Sequence, residues 1–103
     1  MSYVLRLIQQ YHPSHIQDFF ELEAQFQALE RRSPQFPRGR RYQPFSGAEQ
    51  TNTLVWECEF DSLAEVQEAL KKMDGDPTHT ALFEKQSPCI VGMRTEIYKV
   101  LDL

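Results

Sequence analysis

The chain has 103 residues, with 11 Lys and Arg against 15 Asp and Glu and a formal net charge of −4 at pH 7. That length fits one domain over residues 1–103, and 41% apolar with 25% charged residues is ordinary globular composition, neither disordered nor fibrous. The acidic balance argues against nucleic acid or an anionic membrane as partner, no apolar run is long enough to span a membrane, and the residues from Met1 to Arg6 lack a signal-peptide pattern.

Tyr3 to Tyr11 reads as a strand, with Tyr3, Leu5 and Leu7 on one face and Val4 and Ile8 on the other. Pro13 breaks it, and Ser14 with Gln17 has the form of a capping box opening a helix to about Arg32. Ile16, Phe19, Phe20, Leu22, Phe26 and Leu29 give that helix a wide apolar face. Ser33 to Gly39 is a loop. Arg40 to Ser46 reads as a short strand, placed at an edge by Pro44, and Gly47 to Asn52 as a polar hairpin connection.

Thr53 to Phe60 is the clearest strand: Leu54, Trp56, Cys58 and Phe60 face one way, Val55, Glu57 and Glu59 the other. Ser62 with Glu65 forms a second capping box, and Leu63, Val66, Leu70 and Met73 mark a buried helical stripe ending near Asp74-Gly75. Asp76-Pro77 then opens a short helix to about Gln86, closed by Ser87-Pro88. Arg94 to Leu101 is the last strand. The order βαββαβ predicts an α+β, ferredoxin-like fold: a four-stranded antiparallel sheet with its helices on one face.

Strands apolar on both faces beneath a single helical layer leave one face uncovered, and such a patch marks an interface. A homodimer packed sheet to sheet would cover it, with Glu57 and Glu59 at the interface or its rim against Arg6 or Arg94 of the partner subunit.

The segment from Asn52 to Glu65 (Asn-Thr-Leu-Val-Trp-Glu-Cys-Glu-Phe-Asp-Ser-Leu-Ala-Glu), with Asp76-Pro77 and Phe83 beyond it, resembles the NIPSNAP family. The likeness runs from Thr51 to Leu103; before Thr51 only the order of elements matches, and Glu65-Val66-Gln67-Glu68 stands where relatives tend to carry arginines. The resemblance implies the dimeric α+β-barrel superfamily, whose members include cofactor-free monooxygenases of the antibiotic-biosynthesis type, haem-degrading enzymes, isomerases and ligand-sensing domains. Several members place a histidine near the start of the helix that here begins at Pro77.

His79 is that histidine. At the start of a helix, free N–H groups and the positive dipole end disfavour imidazolium, so a ring neutral near pH 7 is available as a general base; its plain alternative is a polar residue packed on the loop. Trp56 and Cys58 share one strand face, where they form either core or a cavity wall, and Cys58 without an adjacent cation is an ordinary buried thiol. Arg31, Arg32, Arg38, Arg40 and Arg41, followed by Tyr42, form a basic cluster that could grip a carboxylate or phosphate, or else serve as a helix end and a solvated loop. His12 and His15, three apart, have no carboxylate or thiol in ligand register, and no metal site is expected. Phosphate-loop, nucleophile-elbow and dinucleotide glycine patterns are absent.

The expectation is therefore a cytoplasmic homodimer without a cofactor, binding a small apolar or anionic molecule in a cleft between sheet and helices. His79 is its candidate catalytic residue, and Trp56, Tyr42, Arg41 and Cys58 are its candidate ligand contacts. The alternative is a cofactor-independent monooxygenase, which needs a dry pocket and one polar residue rather than a triad.

Overall fold

Strand pairing builds the frame of the computed structural model, which describes residues 1–103. β1 (Tyr3–Tyr11) lies between β3 (Thr53–Phe60) and β4 (Ile90–Lys99), and β2 (Arg40–Tyr42) adds to the outer edge of β3, giving the order β2-β3-β1-β4. Every pairing is antiparallel. α1 (Ile16–Arg32), α2 (Leu63–Gly75) and α3 (Pro77–Gln86) complete an α+β, ferredoxin-like fold. No helix is long and apolar enough to cross a membrane.

Register sorts the side chains. Leu5 pairs with Cys58, Leu7 with Trp56 and Gln9 with Leu54, so these residues share the face beneath the helices. On that side Leu5, Phe26, Leu29, Phe36, Trp56, Val66, Met73 and Leu82 form one buried cluster, and Tyr11, Phe19, Leu54 and Cys89 a second. Burying an aromatic such as Phe19 contributes about 1.5–3 kcal/mol. Glu23 and Gln86, 6% and 0% exposed, are the polar residues embedded in this layer. Glu23 stands on α1 between Phe19 of the second cluster and Phe26 of the first.

Two helix starts follow the sequence. Ser62 Oγ accepts from the Glu65 N–H at 3.2 Å, and Asp76 Oδ2 accepts from the His79 N–H at 2.8 Å. The first helix differs: Ser14 is not its cap. The His12 ring accepts from the Ser14 N–H at 3.2 Å and caps a short 3-10 turn over Pro13–His15, so α1 begins at Ile16. β2 stops at Tyr42 rather than Ser46, just before Pro44, which has no N–H for the ladder. β4 spans Ile90–Lys99 rather than 94–101, because it follows β1 from Tyr11, opposite Ile90, to Tyr3, opposite Lys99.

The second sheet face corrects the expectation of a bare apolar surface. Ile8 and Val55, cross-strand neighbours on it, are only 3% and 4% exposed. The segment 43–52 joins the antiparallel β2 and β3 as the expected hairpin connection and folds back over this face. Glu49 forms an ion pair with Arg94, Gln50 accepts from Gln10 at 2.8 Å, and Asn52 donates to the Tyr11 carbonyl at 2.7 Å. Further along the face the surface is ionic: Arg6 lies 3.1 Å from Glu57, its cross-strand neighbour, and 3.5 Å from Glu96. Glu57 thus finds its partner in its own chain. Large exposed apolar side chains remain on this face at Tyr98 of β4, 50% exposed, and at Phe45, 98% exposed on the 43–52 segment, whereas the exposed Met93 and Ile97 lie on the helix side, opposite Gln9 and Leu5.

Candidate functional site

Between the helices and the sheet lies a cleft of about 370 Å³. Its apolar wall includes Leu7 and Trp56 from the sheet, Phe26 from α1, Leu70 and Met73 from α2, and Phe83 from α3. Met93 and Thr95 of β4 line it as well. The volume falls within the range of small-molecule sites.

Four polar residues of the cleft, Glu23, Glu30, Arg41 and Gln86, form one connected network. Arg41, opposite Trp56 in the β2–β3 register, shares its side of the sheet. Its Nε donates to Glu23 Oε2 at 2.6 Å, while Nη1 and Nη2 donate to the two oxygens of Glu30 at 3.2 and 2.6 Å. Such a fork is the strongest geometry a guanidinium and carboxylate can adopt. Glu30 also receives the Trp56 indole N–H at 3.3 Å and the Gly39 N–H at 3.1 Å. Burial works against the Arg41 charge, but the hydrogen bonds and attraction from Glu30 and Glu23 outweigh it and hold the pKa above its ordinary value.

Gly39 has a steric role here. A Cβ at this position would overlap the Trp56 indole, so only glycine lets the loop run against the ring. The same approach lets the Gly39 N–H reach Glu30.

Gln86, at the end of α3, donates through Nε2 to the Phe19 carbonyl at 3.3 Å and to Glu23 Oε1 at 2.9 Å. Its Oε1 is buried without a partner. His79 stands against Phe26, ring centroids 4.9 Å apart and nearly edge to face, with Phe36 at 6.1 Å. Burial lowers its pKa, against the opposing pull of Asp76, Asp74, Glu30 and Glu23, so the ring is neutral at pH 7. Burial thus dominates, where the sequence pointed to the helix end.

Of the residues singled out in the sequence, the fold brings Trp56, Arg41 and His79 to the cleft. Tyr42 does not join them: it pairs with Val55 on the opposite sheet face, half-exposed, with Arg40 stacked on its ring at 5.7 Å. Cys58 faces the helices but packs against the first core cluster outside the cleft lining, and burial raises its thiol pKa. The arginine cluster divides. Arg31, Arg38 and Arg40 surround a surface depression together with Glu30, while Arg41 turns inward. Glu23, Glu30 and Gln86 escaped the sequence reading. The available signal was spacing: Glu23 is four residues after Phe19 and three before Phe26, on the apolar stripe itself, and Glu30 follows it by two helical turns.

Known structures share this architecture over nearly the whole chain. A NIPSNAP family protein from Agrobacterium tumefaciens str. C58 superposes with a TM-score of 0.80 at 16% identity, covering 99% of this chain and 95% of the other. The fold is that of a NIPSNAP protein. A dimeric ferredoxin-like protein of unknown function from Jannaschia sp. CCS1 matches at 0.71 and 15% identity, covering 97% of this chain and 100% of its own. A candidate antibiotic biosynthesis monooxygenase from Nitrosomonas europaea matches at 0.69 and 13% identity, covering 97% and 90%. No protein-family model matches the sequence, and neither does any curated protein. At such identities the NIPSNAP-like architecture is a statement of fold, and function must be argued from the site.

Proposed function

We propose that residues 1–103 work as one α+β-barrel domain that binds a small, largely apolar molecule in the cleft between sheet and helices. The observation that carries this reading is the cleft itself: about 370 Å³ bounded by Trp56, Phe26, Phe83 and Met73, with polar groups gathered at Glu23, Glu30, Arg41 and Gln86. A few polar groups in an apolar wall suit a site that orients one face of its ligand. Arg41 gives no support to an anionic ligand, because both its carboxylate partners already hold it.

The proposal includes a homodimer joined through the sheet face opposite the helices. Its support is the dimeric Jannaschia neighbour, the nearly fully exposed Phe45, and Tyr98 at 50% exposure on that face. A cytoplasmic location fits the two free thiols, Cys58 and Cys89.

His79 favours a second reading, a cofactor-independent oxygenase. A neutral imidazole lining the same cleft as Trp56 could take a proton from an electron-rich substrate, whose carbanion would then react with oxygen directly. The likeness to the Nitrosomonas protein is consistent with it.

Native mass spectrometry of freshly purified protein tests both. A dimer carrying a co-purified organic molecule is expected, and oxygen uptake on adding that molecule would select the oxygenase. A monomer would sink the dimer, and an empty cleft that no small apolar probe enters would sink the binding site.

A further inference from the structure

We propose that the cleft selects a protonated amine carried on a small apolar body, with the ammonium seated at Gln86 Oε1 and in the field of Glu23 and Glu30. This rests on the cleft being a binding site and specifies which class of molecule enters it.

The Gln86 amide supplies the first argument. Both groups that its Nε2 meets, the Phe19 carbonyl and Glu23 Oε1, are acceptors, so the amide cannot be turned round. The atom left without a partner is therefore the oxygen, on a residue that is 0% exposed and lines the cleft. A buried acceptor with no donor calls for one from a ligand.

Charge supplies the second. Glu23 and Glu30 bring two negative charges to the cleft and Arg41 one positive, and Asp74 adds another negative charge to the lining. His79, the remaining titratable group there, is neutral at pH 7. An incoming carboxylate or phosphate would meet a net negative wall, and the Arg41 Nε and Nη groups are already engaged by Glu23 and Glu30. An uncharged hydrocarbon would leave Gln86 Oε1 unpaired. An ammonium answers both conditions, since it donates hydrogen bonds and carries the missing charge. Phe26, Trp56 and Phe83 receive the apolar body, and their ring faces attract a cation as well.

Trp56 is the only tryptophan, so its emission reports on the cleft directly. Three probes of similar shape should be titrated into the full chain: phenethylamine, phenylpropionate and ethylbenzene. Phenethylamine is expected to bind about tenfold more tightly than phenylpropionate, the scale of one charge-assisted hydrogen bond. The substitution Gln86→Met keeps the length and removes the acceptor, along with the Nε2 donor to Glu23 and the Phe19 carbonyl. It should cost the amine about tenfold in affinity relative to ethylbenzene measured on the same variant.

Phenylpropionate binding as tightly as the amine would overturn the proposal while leaving the cleft a binding site. Amine affinity unchanged relative to ethylbenzene in Gln86→Met would overturn the seat at Gln86. Silence from all three probes would overturn the binding reading and the amine with it. Should Gln86→Met fail to fold, the three-probe comparison on the natural chain still decides.

Discussion

Arginine meets two carboxylates on both faces of the sheet, and the two meetings have different consequences. On the helix side Arg41 holds Glu23 and Glu30, with side-chain exposures of 14%, 8% and 14%. On the other face Arg94 holds Glu49 and Glu96, with exposures of 50%, 27% and 26%. The functional groups are the same. Burial makes the difference: inside, each charge has exchanged water for a fixed partner, so removing one strands the others, whereas outside, water and salt can take the place of any partner. The inner network can therefore hold a fixed field over a cleft, and the outer one chiefly tethers segment 43–52 to the sheet.

Breaking the inner network should give the largest effect. Arg41→Met removes the positive charge and leaves Glu23 and Glu30, two turns apart on α1, without their shared partner. Urea denaturation should show a loss of about 3–5 kcal/mol, the cost of an uncompensated buried charge. Adding Glu23→Gln and Glu30→Gln to that variant should recover part of the loss. A single variant as stable as the natural chain would mean that water reaches these carboxylates freely and that no field is held.

The inner side also depends on Trp56 being pressed against Gly39. Gly39→Ala places a methyl where the indole lies, and overpacking of this kind costs about 1–3 kcal/mol. Moving the ring would break its hydrogen bond to Glu30, so Trp56 emission should shift together with the urea midpoint. An unshifted spectrum would show that the loop, rather than the ring, gives way.

These two sites also mark where the sequence stops being legible. Strand alternation in 53–60, the Ser62 and Asp76 caps and the order of elements are local signals, and the fold followed from them. Glu23 was hidden because an apolar stripe is read from its hydrophobic members, and a carboxylate within it looks like an interruption. Ile16 shows the reverse error: it fits the stripe in sequence yet is 47% exposed, because the helix begins only there. Segment 43–52 is polar enough to pass for a solvated turn, and Glu49 reaches Arg94 across 45 positions, a pairing no local pattern contains. Tyr42 and Arg41 looked interchangeable as neighbours, but one step along a strand put them on opposite faces.

The pH dependence separates the faces further. Because burial lowers the His79 pKa beneath its ordinary 6.5, the folded chain takes up this proton less readily than the unfolded chain does. At a pH between the two values the unfolded state therefore binds more protons, and stability rises with pH there. The contribution is fully present above about pH 6.5 and is lost as the pH falls from there through the folded-state value. In His79→Gln this acid-side loss should shrink relative to the natural chain. Identical slopes for the two proteins would mean that His79 is solvated.

The smallest effect belongs to the outer network. Hydrogen bonds from Arg94 and Tyr98 hold the Glu96 carboxyl below its usual range, so that pair stays ionised at neutral pH, but water reaches it, Arg94 being half-exposed. Arg94→Ala should therefore leave the urea midpoint nearly unchanged. At about 1 M salt, where screening acts over only about 3 Å, even the residual difference should vanish. What Arg94→Ala should change is order in segment 43–52, because Glu49 loses its partner. Amide exchange in that segment should quicken while the helices and β1 keep their protection. If the variant instead lost as much stability as Arg41→Met, Arg94 would lie inside the sheet-to-sheet interface rather than at its rim, and both networks would then belong to interiors.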